Sequence, residues 1–392
     1  MIEAVLSEEG WPYASAPPVE PGDPGRFHAL FGRDALITSL QLLPERPDIA
    51  RATLHALAVR QGTRHDEQTR EAPGKIGHEF RDAPPESFVA AGWPAEGEFR
   101  YYGTADATPW FLVLLAASGE PGLDAAGRAA AGWLGAELDA GGGLVRHEPG
   151  GRGGLVQQGW RDTIDAAADA DGGGYVRADG SNPEPPLADA DTQAVAYAGL
   201  RAAQRLTGDP AWARRADALR TLLSERFGPS VLALEAGDVV VPGAGSQLGW
   251  LLWADALEPE VATACADRLC EPDILTPFGL RTLASGDPNF GPSQYHRGAI
   301  WPFDNWLGWG GLRAQGRFEA AERVRNGVLA ALDVLGRAPE LYAVELDGTL
   351  AQIPLSNRVQ AWTIGARWAF EHGWDGELVR HGTRDLGADS TD

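Results

Sequence analysis

Two cysteines in 392 residues, Cys265 and Cys270, are too few for a disulfide framework. Five positions apart on what reads as one helix, they are poorly placed to bond to each other and read as buried thiols. No apolar run approaches the roughly 18 residues that a membrane-spanning helix needs. The opening residues also lack the basic stretch and apolar core of an export signal, so a cytoplasmic chain is expected. Positive charge is scarce: 33 Lys and Arg stand against 55 Asp and Glu, a formal net charge of -22. Such a balance repels phosphate backbones and anionic lipid, which excludes nucleic acid and membranes as partners and leaves neutral substrates open. The metal, nucleotide and serine-nucleophile signatures HExxH, paired CxxC, GxxxxGKS and GxSxG are missing. Asp169 and Asp171 begin like a calcium loop, but a third acidic ligand and the closing Glu do not follow. Neither a metal nor a cofactor is expected.

What the chain has in quantity is Trp (14), Gly (50) and Pro (28). Ala- and Leu-rich segments at about 34–43, 48–61, 105–117, 123–137, 189–207, 211–226, 246–256, 260–270, 300–314, 317–335 and 357–372 carry helical periodicity between Gly/Pro loops. In 317–335, Phe318, Ala321, Val324, Val328, Leu332 and Leu335 recur every three or four residues and predict one apolar stripe. The best strand pattern is 231–241, a small hairpin. Without strand–helix alternation, a doubly wound sheet or a (β/α)8 barrel is disfavoured. Stacked helical hairpins with no fixed repeat predict an all-α fold, an (α/α)6 toroid forming one domain over residues 1–392. Residues 1–30 read as an extended N-terminal segment and 374–392 as a flexible tail.

Long loops at about 62–104, 138–188, 272–299 and 336–356 gather aromatic and charged residues, the usual way a rigid scaffold builds a pocket. Asp162 and Asp165 sit three apart beside Trp160, an apolar neighbour that raises a carboxyl toward the range of a general acid. The plainer alternative is a helix-capping Asp paired with Arg161. Glu340 follows a Pro in the last long loop, with Tyr342 adjacent, and Tyr295–Trp306 packs four aromatics and His296 around Arg297, Asp304 and Asn305. Glycoside hydrolysis needs this inventory: one carboxylic acid for the leaving oxygen, a second carboxylate on the opposite face, and polar and aromatic groups for the sugar. The surplus tryptophans suit ring stacking on sugars, and large core positions would use them equally.

In this context the motifs resemble the bacterial glycogen-debranching (amylo-α-1,6-glucosidase) family, whose relatives include glucoamylase, trehalase and glucosyl- and mannosylglycerate hydrolases. The resembling blocks are PheGlyArgAspAlaLeuIleThr from Phe31, GlyLysIleGlyHisGluPheArg from Gly74 and TyrTyrGlyThrAlaAspAlaThrPro from Tyr101. GlnGlyTrpArgAspThrIleAsp from Gln158, TyrHisArgGlyAlaIleTrpPro from Tyr295, ProGluLeuTyr from Pro339 and ValGlnAlaTrp from Val359 follow in the family's order. The resemblance implies an inverting, exo-acting α-glucosidase of the same toroidal fold, with only the catalytic barrel represented. Asp162 would be the general acid and Glu340 the general base, Glu345 being the runner-up for the base. It implies that Arg33 and Asp34 grip sugar hydroxyls and that His78, Glu79, Tyr102, Asp106, Gln158, Trp160, Asp165, His296, Trp301 and Gln360 line the pocket. Ile164 and the acidic stretch after Tyr342 depart from the family pattern and put the substrate, more than the chemistry, in question. The partner is then a small-molecule or oligosaccharide substrate. A hydrolase of a small glycoside such as glucosylglycerate is the main alternative. It would need positive charge at the mouth, for which Arg64, Arg70, Lys75, Arg81 and Arg152 are candidates. A non-catalytic helical repeat protein would show an open superhelix and no deep pocket, and an epimerase or lyase on the same fold is a further alternative.

Overall fold

The computed structural model describes residues 2–18 and 27–377. Among them are twelve α-helices: α1 (Gly32–Gln41), α2 (Pro47–Ala58), α3 (Glu86–Ala90), α4 (Ala107–Ser118), α5 (Asp124–Ala140) and α6 (Ala190–Thr207), then α7 (Pro210–Arg226), α8 (Gln247–Trp253), α9 (Pro259–Leu269), α10 (Pro302–Ala314), α11 (Phe318–Leu335) and α12 (Ala361–His372). Eleven of them fall within a few residues of the periodic segments; α3 is five residues long and too short to show a period.

Burial sorts these helices into two kinds. The sequence of α4 is apolar on every side, and all but two of its twelve residues are buried. Helices α1 and α8 are buried along their whole length, and α6, α10 and α12 along most of theirs. By contrast α2, α5, α7, α9 and α11 bury one stripe each, as amphipathic outer helices do. The stripe of α11 runs through Ala321, Val324, Val328 and Leu332, whereas Phe318, expected on it, is 64% exposed at the helix's first position. The buried six touch in a cycle: α1 on α4, α4 on α6, α6 on α8, α8 on α10, α10 on α12, and α12 back on α1. Around them α2, α5, α7, α9 and α11 pack from outside. The fold is therefore the closed (α/α)6 toroid, not the open solenoid.

Bulky and minimal residues together let the ring close. Trp110, Trp160, Trp250, Trp253, Trp301, Trp306 and Trp309 are fully buried in the central core. These tryptophans fill the space between inner helices, the core use of the surplus and not the stacking on sugar. Where α8 crosses α10, a Cβ on Gly249 would stand 2.5 Å from the Cα of Gly308.

Four small antiparallel sheets decorate the loops. β1 (Leu30–Phe31), β2 (Glu79–Arg81) and β3 (Phe99–Tyr101) form one, with Glu79 opposite both Phe31 and Tyr101. β4 (Ala188–Asp189), β5 (Val231–Glu235) and β6 (Val239–Pro242) contain the expected hairpin. β7 (Leu275–Thr276) pairs with β8 (Gly279–Leu280), and β9 (Tyr342–Val344) with β10 (Leu350–Gln352).

At the N-terminus, residues 2–5 form a 3₁₀ turn against α12, so the first segment is not extended throughout. At the other end the packed chain runs past 374: the Trp374 indole donates to the Leu40 carbonyl at 3.0 Å, and Asp375 is buried. The rest of the expected tail, 378–392, lies outside the described residues, as do 19–26. No helix among the described residues is long and apolar enough to cross a membrane.

Gly249→Ala forces a methyl into the α8–α10 crossing against backbone that cannot yield, so it is expected to cost about 1–3 kcal/mol of stability, measured by urea unfolding. A variant as stable as the parent would show that the two helices do not meet this closely.

Candidate active site

The inner helices present their N-terminal ends to one region. Arg33 and Asp34 lie in the first turn of α1, Asp106 stands at the N-cap position of α4, and Asp189 caps α6, where its carboxylate accepts the Thr192 N–H at 2.7 Å. Ser246, Trp301 and Gln360 stand at the same position on α8, α10 and α12. Helix N-termini carry partial positive charge and unpaired N–H groups, which suits carboxylates.

Arg33 is the hub. Its Nη1 donates to both Asp106 oxygens, at 3.3 and 3.5 Å, and to the Gly159 carbonyl at 3.1 Å. Its Nη2 donates to Asp162 Oδ2 at 2.9 Å, and its Nε lies 3.8 Å from Asp34. Burial opposes the guanidinium charge, but Asp106, Asp162 and Asp34 together hold its pKa above the ordinary arginine value. The fork expected to grip sugar hydroxyls is thus directed at the protein's own carboxylates.

Asp162 projects from an irregular loop, not from the helix considered for it, and keeps 26% of its side chain exposed to a cavity of about 380 Å³. Burial raises its pKa against the pull of Arg33. Arg161 is not its partner: that guanidinium is fully buried, donates to the Thr282 and His296 carbonyls at 2.7 and 3.1 Å, and pairs with Asp191 at 3.5 Å. The loop is clamped by one residue so that the next faces the cavity.

Glu340 is buried, and the Asn357 N–H donates to its Oε2 at 3.0 Å. The Tyr295 hydroxyl donates to Oε1, and Tyr295 lines the same cavity as Asp162. A second path links the two carboxyls: Asn357 donates to Gln360 Oε1 at 3.2 Å, and Gln360 Nε2 donates to Asp34 at 3.4 Å, beside Arg33. Burial pushes the Asp34 carboxyl up to about 7, Arg33 opposing it and the charges of Asp162, Glu340 and Asp106 adding to it. Glu345 lies at the turn between β9 and β10, where its carbonyl accepts from Arg281 at 3.2 Å.

The other expected pocket residues divide. Glu79 is buried and paired with Arg81, and burial raises its pKa with a contribution from Asp162. His78 is buried edge-on to Phe31 and Tyr101 and is held neutral by burial and by Arg33, Arg81 and Lys75. His296 is likewise kept neutral, and its Nδ1 accepts the Gly174 N–H at 3.0 Å. Trp160 and Trp301 form the layer beneath, edge to face at 5.5 Å. Two residues turn elsewhere. The Tyr102 hydroxyl donates to the Arg60 carbonyl at 2.7 Å, behind the sheet. The Gln158 amide donates to the Glu148 carbonyl at 2.7 Å and lines a different cavity. Asp165 is exposed on the rim, held by Asn182 at 2.8 Å. Tyr295 and Asn357, which contact Glu340 directly, are not among the expected pocket residues, although Tyr295 opens the aromatic-rich stretch that contains His296. Among the described residues no cluster of three His, Cys, Asp or Glu is gathered to hold a metal.

Residues 140–343, which carry both Asp162 and Glu340, match the family model of the mannosylglycerate hydrolase MGH1-like glycoside hydrolase domain. The chain belongs to this glycoside hydrolase family. No curated protein sequence matches the chain. Among solved structures, this MGH1-like hydrolase is similar to the GH63 mannosylglycerate hydrolase of Thermus thermophilus crystallised with Tris and D-glycerate. The two share 16% identity at a TM-score of 0.64, over 95% of this chain and 98% of the other. It is also similar to the neutral trehalase of Saccharomyces cerevisiae, at 14% identity and a TM-score of 0.55 over 94% of this chain and 75% of the trehalase. At such identities the likeness is one of fold. It extends to six-hairpin glycosidases in general and does not single out debranching enzymes.

Asp34 binds its proton more tightly folded than unfolded, so between about pH 4 and 7 the folded state holds more protons and this group's contribution to stability falls as pH rises. Asp34→Asn removes that slope. Its Tm relative to wild type should therefore improve steadily from about pH 5 to about pH 7.5, read by calorimetry; a Tm difference independent of pH would contradict the buried, proton-binding Asp34.

Proposed function

We propose that this hydrolase is an inverting, exo-acting glycosidase that releases one glucose unit from an α-glucosidic bond of a neutral substrate. Asp162 is the general acid and Glu340 the general base. The observation that carries the reading is that Asp162 and Tyr295, the hydroxyl partner of Glu340, line one cavity of about 380 Å³, a volume within the range of small-ligand sites. Asp162 retains an exposed edge from which to protonate a leaving oxygen, and the burial that raises its pKa favours the protonated form this role needs. Glu340 receives donors on both oxygens, as an acceptor carboxylate does, and such donors favour the charged form that a general base needs. Arg33 and Asp34 then act from behind: Arg33 fixes the orientation of Asp162, and Asp34 with Gln360 links that hub to the loop of Glu340.

Charge at the rim bears on the aglycone. Asp165, Asp169 and Asp171 line the cavity mouth beside the apolar Phe27, Ile164 and Leu355. Three carboxylates repel an anionic leaving group such as glycerate, whereas the apolar faces accept a neutral sugar or alcohol. Of the cations considered for an anionic aglycone, Arg64 is engaged by Asp66 and Glu71 and Arg81 by Glu79, and Arg70, Lys75 and Arg152 do not line this cavity. A neutral α-glucoside, an α-1,6-linked branch included, fits this rim better than glucosylglycerate. The family name keeps a mannosyl glycerate substrate as the second reading.

Asp162→Asn and Glu340→Gln should each lower kcat by about 10³-fold or more with little change in glucose binding. On the parent, neutral α-glucosides should be cleaved faster than glucosyl- or mannosylglycerate in a release assay. Near-normal turnover by either variant would remove its residue from the mechanism, and preference for the glycerates would overturn the neutral substrate.

A further inference from the structure

Lys75 is the only lysine among the 33 Lys and Arg residues of the chain, and it is buried, with 7% of its surface exposed. Gly74 precedes it with φ of +84°, and a Cβ there would stand 2.1 Å from the Ala129 carbonyl, so the loop is pressed onto α5 at this point. The ammonium group lies 5.5 Å from the centroid of the Trp133 ring and makes no hydrogen bond or ion pair among the described residues. It borders a cavity of about 220 Å³ that shares no lining residue with the cavity of Asp162.

A second cation is directed at the same space. Arg70 lines the cavity from a left-handed backbone conformation, φ of +61°, which L-residues other than Asn and Asp rarely adopt. It reaches its carboxylate partner, Glu148, only at 4.0 Å. Burial pushes Lys75 down to about 8, and repulsion from Arg70 adds to it. Four acidic groups line the cavity, Asp66, Glu67, Glu71 and Glu137, and none of them pairs with Lys75 or Arg70. Asp66 and Glu71 are taken by Arg64, and Glu137 attracts Lys75 without pairing while its own carboxyl is raised by burial. A raised carboxyl takes a proton readily and then donates.

Two like charges brought to one cavity, one of them buried without a partner, destabilise the empty state; an anion between them reverses the sign. We propose that this cavity binds a small oxyanion, the carboxylate or phosphate of a compact metabolite, between the Lys75 ammonium and the Arg70 guanidinium with Trp133 as its apolar wall. The site stands one residue layer from the hydrolytic centre, since Thr104 lines it and donates to Asp106 at 2.7 Å, the partner of Arg33. It does not depend on the roles given to Asp162 and Glu340.

A single lysine makes the test direct, because ¹³C-lysine labelling yields one side-chain Hε–Cε resonance. Inorganic phosphate and glycolate, each titrated at constant ionic strength against chloride, are the probes. The Lys75 resonance should shift saturably in wild type and equally in Asp162→Asn, and the affinity should fall about tenfold or more in Arg70→Gln. Calorimetry on Lys75→Met, with its fold checked by circular dichroism, should show the same loss. Tighter binding of phosphate or of glycolate identifies the group recognised. A resonance that moves no more than with chloride, binding abolished by Asp162→Asn, or undiminished binding to Lys75→Met and Arg70→Gln would overturn the proposal.

Discussion

One guanidinium holds three carboxylates where the inner helices converge. Arg33 touches Asp106 and Asp162 and stands against Asp34, all within a region from which water is largely excluded. Removing a partner from such a buried set leaves an uncompensated charge, which costs several kcal/mol, so the arrangement is locked once the ring has closed. The lock fixes Asp162 in orientation while leaving its outer edge at the cavity. It also ties the first helix of the ring to the last, through Asp34 and Gln360. Chain segments more than three hundred residues apart are therefore held in register beside Asp162.

The ring makes this possible because its interior is solid. Tryptophans fill the gaps between inner helices, and glycines such as Gly249 and Gly308 let α8 and α10 approach backbone to backbone. Above this floor, adjacent residues take opposite tasks. Trp160 packs into the core, Arg161 ties the loop to the Thr282 and His296 carbonyls, and Asp162 faces the cavity. Likewise Tyr295 reaches Glu340 while His296 turns inward to Trp301 and a backbone N–H. Rigid neighbours of this kind hold Asp162 and Tyr295 in fixed positions at the cavity.

Much of the fold could be read from sequence because helix burial writes its own period: one-sided in α11, continuous in α4. The ring itself was implied by the absence of a repeat, and its closure appears only in the contact of α12 with α1. The short strands escape notice because pairs such as Leu30–Phe31 carry no pattern. For the site, residue type was a weaker guide than direction. Arg33, Asp34, Asp106, Asp162, Glu340 and Gln360 come together, linked by hydrogen bonds and ion pairs. Tyr102 and Gln158 lie in the same motifs but send their polar ends to the Arg60 and Glu148 carbonyls, since neighbours in extended backbone point to opposite sides. Trp160 and Trp301 are core residues because an aromatic at the base of a closed ring has more apolar surface to bury there than at a wet pocket. Asn357 acts on Glu340 through its backbone N–H, which residue identity does not reveal.

Chemically, the arrangement rests on an asymmetry between two carboxyl groups: Asp162 partly exposed and raised by burial, Glu340 enclosed and held by donors. In an inverting glycosidase the acid and the base stand about 6.5–9.5 Å apart so that a water fits between base and sugar. The stereochemistry of the product reports that water directly. Proton NMR of the sugar first released from an α-glucoside, recorded before mutarotation, should show β-glucose; release of α-glucose would mean that no water attacks from the opposite face and would contradict the pairing of Asp162 with Glu340.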